Sequence, residues 1–151
     1  MVETSHAMDE RTCGSCSLCC YLLGVKQFEK PSGVWCRHCR PGDGGCTIYS
    51  DRPRDCHWYE CEWLQGMVSD DWFPQRAHIV LSYRWRSRSV SVSVDPKFPD
   101  RWREEPYFTQ LCQMSMKNRT RIYIGDEELF VLHQGKLTQR RRARLVRLVF
   151  P

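Results

Sequence analysis

The clearest patterning lies in the second half of the chain. Ser89-Val90-Ser91-Val92-Ser93-Val94 alternates polar and apolar residues strictly, which puts Val90, Val92 and Val94 on one face of a strand. His78-Ile79-Val80-Leu81-Ser82-Tyr83 is a second, more apolar strand candidate, and the polar stretch from Arg84 to Arg88 predicts the hairpin connection between them. Asp95-Pro96-Lys97-Phe98-Pro99 breaks the second strand, and Asp100 offers an N-cap. Residues 102–117 then predict a helix restarted at Pro106, with Tyr107, Phe108, Leu111 and Met114 on its buried side. Arg121-Ile122-Tyr123-Ile124 and Glu128 to His133 read as two further strands, joined by a turn at Gly125-Asp126-Glu127. The expected order over residues 77–134 is β-β-α-β-β, an antiparallel sheet with one covering helix. Without a repeating β-α alternation, a parallel nucleotide-binding sheet is not expected. Residues 135–151 read as a basic C-terminal tail.

The first half carries no such period. Residues 1–12 predict a flexible lead-in whose His6 is solvated, and residues 13–64 hold nine of the chain's ten cysteines. The densest run is Cys13-x2-Cys16-x2-Cys19-Cys20. A two-residue gap lets the chain turn so that two sulfurs face one ion, and Gly14 and Ser15 ease that turn. On a helix, positions 13, 16 and 20 would instead share a face, with Cys19 off it. A second C-x2-C pair follows at Cys36 and Cys39, and then Arg40-Pro41-Gly42-Asp43-Gly44-Gly45 leads to Cys46. That loop lacks the G-K-[ST] ending of a phosphate-binding loop, so it is expected to be the turn that delivers Cys46. Asp51 and Pro53 predict the start of a short helix from which, or from the end of which, Cys56 and Cys61 project.

Composition narrows the picture. The chain has 151 residues, 41% hydrophobic and 12% aromatic, enough for a core and too many for wholesale disorder. The formal charge of +5 falls once thiolates bind metal, so it is a weak argument for an anionic partner. No stretch has the apolar length of a membrane span, and the polar N-terminus lacks the apolar region of a secretory signal. A cytoplasmic location is therefore expected, where reducing conditions favour metal binding over disulfides for closely spaced cysteines. The arginines from Arg140 to Arg147 have no docking motif around them, so specific nucleic-acid binding is not expected.

Cys13-x2-Cys16-x2-Cys19-Cys20, Trp35-Cys36-x-His38-Cys39, Gly45-Cys46-x-Ile48-Tyr49, Arg52-Pro53-x2-Cys56 and Cys61-x-Trp63-Leu64 together resemble the YkgJ family, a zinc- or iron-chelating C-x-x-C-x-x-C-C domain. The resemblance covers residues 13–64 and extends to Asp95-Pro96-x2-Pro99-Asp100-x-Trp102-Arg103. It implies a metal module and no particular reaction.

Ligand counting defines the candidate centre: Cys13, Cys16, Cys19, Cys20, Cys36, Cys39, Cys46, Cys56 and Cys61. Two separate four-cysteine zinc sites would use about eight of them, and three isolated sites would need about twelve. Nine therefore fit either two ions with a spare cysteine or three ions sharing sulfurs. Two iron–sulfur clusters, at four thiolates each, remain the alternative. The adjacent pair Cys19-Cys20 favours zinc slightly, because neighbouring side chains diverge toward two different ions. His38 and His57 are possible extra ligands, and Trp35, Trp58 and Trp63 are expected to shield the sulfurs from water. Cys112 reads as a buried apolar residue, and no paired carboxylates or Cys–His pair mark an enzyme. The expected function is a multinuclear zinc–thiolate protein with a structural or interaction role and a protein partner; the alternative is an iron–sulfur protein in redox, metal storage or enzyme support.

Overall fold

A computed structural model describes residues 11–140. His6 and the arginine-rich segment after Arg140 lie outside the described residues. Three short helices, α1 (Leu18–Leu22), α2 (Arg54–His57) and α3 (Pro74–Ala77), precede the strands β1 (Ile79–Arg84) and β2 (Ser89–Val94). Helix α4 (Tyr107–Lys117) follows, and then β3 (Arg119–Ile124), β4 (Glu127–His133) and β5 (Lys136–Gln139). The strands form one sheet in sequence order. The class is α+β, as expected.

Two features depart from the expected sheet. Strands β2 and β3 pair in parallel, with Val92 opposite Ile122, while the other three pairings are antiparallel. The reason is the connection: a hairpin needs a short turn, whereas residues 95–118 cross the sheet as α4 and bring the chain back in the same direction. The second feature is β5, which falls in the stretch expected to be a basic tail. Gln134 and Gly135 both have positive φ, +46° and +71°, the conformation a two-residue hairpin requires. Ser115 of α4 holds this turn, its carbonyl accepting from Gln134 N at 2.9 Å and its hydroxyl from Gly135 N at 3.1 Å.

The expected 102–117 helix is divided. A 3-10 turn at Arg101–Arg103 buries Trp102, and after a cis Glu105-Pro106 bond α4 begins at Tyr107. Tyr107 and Leu111 pack with Trp72 and Trp102 over the sheet face made by Ile79, Leu81, Val92, Val94, Ile122 and Leu132. Burying such side chains stabilises by roughly 1.5–3 kcal/mol each. The alternating β2 sequence is buried on both faces, serines included, because the small serines are flanked by larger neighbours, Val80 and Arg84 on β1 and Arg121 and Tyr123 on β3.

The opposite face of β1 joins the cysteine-rich region to the sheet. Val80 packs with Leu18 and Leu22 of α1, and Tyr59 Oη lies 2.7 Å from Ser82 Oγ. Glu62 completes the join at the strand's free edge. Its N–H donates to Leu81 O at 3.0 Å, and its carboxylate accepts from Tyr83 N at 2.9 Å, satisfying edge groups that would otherwise need water.

Candidate metal centre

The dense cysteine run uses both conformations its spacing allows. Cys13 to Cys16 is a turn, with Cys16 N donating to Cys13 O at 2.7 Å and Gly14 at φ +50°, while Cys19 and Cys20 project from α1. Cys36 to Cys39 repeats the turn, with Cys39 N donating to Cys36 O at 3.0 Å. Cys36 N also donates to Cys20 O at 3.1 Å, tying this second pair to α1. The glycine-rich loop does deliver Cys46: it folds Cys39 and Cys46 into an antiparallel bridge, with Thr47 N bonded to His38 O at 2.8 Å. At its tip Gly44 lies against the first turn. A Cβ there would overlap Gly14 O and stand 2.5 Å from Ser15 Cα. Cys56 sits on α2, and Cys61 follows it beside Glu62.

These elements gather the predicted residues around one cavity of about 420 Å³. Cys13, Cys16, Cys19, Cys20, Cys36, Cys39, Cys46 and Cys56 all line it. The ninth, Cys61, packs with Cys16 and Cys19 against Leu18, Leu22 and Val80. All ten cysteines are free thiols. Among the described residues, no three His, Cys, Asp or Glu side chains converge closely enough to hold an ion as they stand; the sulfurs ring a shared space. The donor set fits thiophilic metal nonetheless, since these are sulfurs in number, from five segments, facing a common cavity.

The thiols raise one another's pKa. Burial pushes Cys13, Cys16 and Cys61 up, with neighbouring cysteines adding to it. Burial and then Cys20 push Cys39 up to about 12, and burial followed by Cys20, Cys36 and Cys46 pushes Cys56 up to about 11. Cys20 is driven highest, first by its hydrogen bond to Cys19 and then by burial, and it also bonds Cys39. The charges fall into two groups: Cys13, Cys16 and Cys61 act on one another, Cys36 and Cys46 act on Cys56, and Cys20 acts on members of both. A group of thiols that resists ionisation this way is stable either protonated or with a cation supplying the missing charge.

The other candidates separate. His57 lines the cavity, its Nδ1 3.5 Å from Arg52 Nη2. His38 is outside the cavity lining; its Nε2 accepts from Arg37 Nε at 3.2 Å and its ring tilts against Phe28. Cys112 lies on α4 against the apolar core. The expected tryptophan shield is not formed. Trp58 is 75% exposed and Trp35 41%, and Trp63 packs on Phe73; Leu23, Val25, Phe28, Tyr59 and Leu64 line the cavity instead. Trp35 stacks on Tyr21, and Trp58 stands edge-on to His57. Sequence reasoning also missed Asp55, whose buried Oδ2 has no hydrogen-bond partner among the described residues, and Arg52, whose charge lowers the Cys13 pKa. Both line the cavity, and nothing in their spacing marks them.

No family model, curated protein or solved structure matches the chain. No helix among the described residues is long and apolar enough to cross a membrane.

Proposed function

We propose that residues 13–64 are a metal-binding module of the YkgJ type, holding two or three zinc ions in a closed thiolate cluster whose role is structural or in protein interaction. The observation that carries this reading is the convergence of eight cysteines from four separate motifs on one cavity, with the ninth, Cys61, packed on the same apolar cluster as Cys16 and Cys19. Disulfide pairing would consume thiols two at a time and has no use for an odd, shared group; a cluster of tetrahedral ions with common sulfurs does. Zinc would supply the positive charge that lets these thiols ionise. The chain's own residues would hold it through the two C-x2-C turns, α1, the Cys39–Cys46 hairpin and α2. A reducing compartment such as the cytoplasm suits a centre built on free thiols.

Partner binding is supported by the side chains that turn away from the cavity. Trp58 and Trp35, at 75% and 41% exposed and outside the cavity lining, stand on the surface of the same module, where large aromatics are natural interface anchors. Metal analysis of the anaerobically purified native protein tests the proposal. Two or three zinc per chain are expected. About eight irons with matching sulfide would replace zinc by two iron–sulfur clusters, and a chain without metal would refute the module.

A further inference from the structure

Lys30 is a buried lysine, only 9% exposed. The chain turns back through Lys26–Phe28 and Glu29, at φ +50°, so that Lys30 and Val25 exchange backbone hydrogen bonds at 2.9 and 3.0 Å. Its ammonium then lies under the end of α1. Nζ donates to Leu23 O, to Pro31 O at 3.0 Å and to Tyr21 O at 3.3 Å. Three carbonyls use all three N–H donors, yet they bring no negative charge, and among the described residues no carboxylate pairs with it. The Tyr21 and Leu23 carbonyls lie at the end of the helix that carries Cys19 and Cys20, to which Cys36 is tied through its N–H on Cys20 O. These thiols, with Cys56, are the groups whose charge acts on the ammonium.

A buried ammonium without a counter-charge is unfavourable, even when fully hydrogen-bonded. With the thiols protonated, nothing compensates Lys30. Metal binding changes that: each ligand sulfur loses its proton. Eight thiolates on two divalent ions, or nine on three, leave an excess of about three to four negative charges. We propose that Lys30 is the built-in counter-cation of this cluster, a positioning residue whose fixed ammonium neutralises part of the thiolate charge of the metal-loaded form. The inference rests on the metal-thiolate reading above.

Lys30 also caps α1, since Tyr21 and Leu23 offer carbonyls that the helix leaves unpaired. A cap and a counter-cation differ in one respect: the cap acts with or without metal, whereas the counter-cation acts only when the thiolates are charged. The test compares Lys30→Met and Lys30→Arg with the unchanged full-length chain. Zinc affinity is read by competition with a chromophoric chelator, and denaturant unfolding is followed with and without zinc.

Lys30→Met is expected to weaken zinc binding by on the order of tenfold or more, the scale of one lost nearby charge pair. It should destabilise the loaded form while leaving the metal-free form at or above its original stability, and Lys30→Arg should restore affinity. Equal destabilisation of both forms with unchanged affinity would reduce Lys30 to a helix cap and overturn the proposal. Zinc binding absent from the unchanged chain would overturn the metal centre itself, which is a separate result. If Lys30→Met does not fold, Lys30→Gln, which removes the charge and keeps a donor for the α1 carbonyls, takes its place. Weakened zinc binding is then expected, and affinity equal to that of the unchanged chain refutes the counter-cation.

Discussion

From Trp72 onward the chain buries Trp72, Trp102, Tyr107, Leu111 and the apolar face of a five-stranded sheet. Between residues 11 and 64 the buried apolar side chains are Leu18, Leu22 and Val25. The first region is held as most domains are, by apolar area removed from water around a hydrogen-bonded sheet. The second is a series of turns and short helices whose shared interior is a cavity lined with sulfur. What differs is where folding free energy originates. Packing supplies it in the sheet, and in the proposed metal module metal–ligand bonds supply it. The two meet along β1, through Val80, Tyr59 and Glu62, and beside α3, where Ser15 bonds Gln75 and Trp63 packs on Phe73.

The largest expected effect comes from the sulfur that acts on both groups. Cys20→Ser should reduce bound zinc by more than one ion's share, because Cys20 hydrogen-bonds with Cys19 and Cys39 and its charge acts on Cys13, Cys16 and Cys56. Cys13→Ser should loosen one ion, and Cys112→Ser, on α4, none. Metal-to-protein ratios of the three variants check this; equal losses for Cys20 and Cys13 would erase the distinction between a shared and a terminal ligand. In the other region, Leu111→Ala should cost about 2–5 kcal/mol in denaturant unfolding, by the same amount with and without zinc. A metal-dependent loss there would mean the two regions are energetically one.

The contrast also governs what the sequence revealed. Strands β1 and β2 were legible because Ser89 to Val94 alternates, and the turn at Gly125-Asp126 was legible from its residue types. Strand β5 was not: Lys136-Leu137-Thr138-Gln139 has one apolar residue, and its Gln134-Gly135 turn depends on Ser115, distant in sequence. The parallel pairing of β2 with β3 was hidden for a similar reason, since it is decided by how the chain crosses the sheet as α4. In the module, motif spacing identified every cysteine that reaches the cavity. Spacing carries no information on which sulfur sits centrally, or on which side a tryptophan leaves a turn. Lys30 was missed because a lysine in sequence reads as solvated, and only the turn after Val25 buries it.

A smaller effect is expected at the contact that closes the module. Gly44→Ala introduces a Cβ against the backbone of Gly14 and Ser15 at φ +65°, a strain of about 1–3 kcal/mol. It should weaken zinc binding by pushing the Cys39–Cys46 hairpin from the first turn, with the sheet unaffected. Isothermal titration with zinc reads the change, and unaltered affinity would show that the two loops close independently.

The most direct test of the difference between the regions is amide hydrogen exchange of the whole chain before and after a strong chelator. Protection in α1, in the Cys39–Cys46 hairpin and in α2 should collapse when metal is removed, while β2, β3 and α4 keep theirs. Native protection persisting in residues 13–64 without metal would contradict a metal-folded module, because those residues would then be folded by something other than their sulfurs.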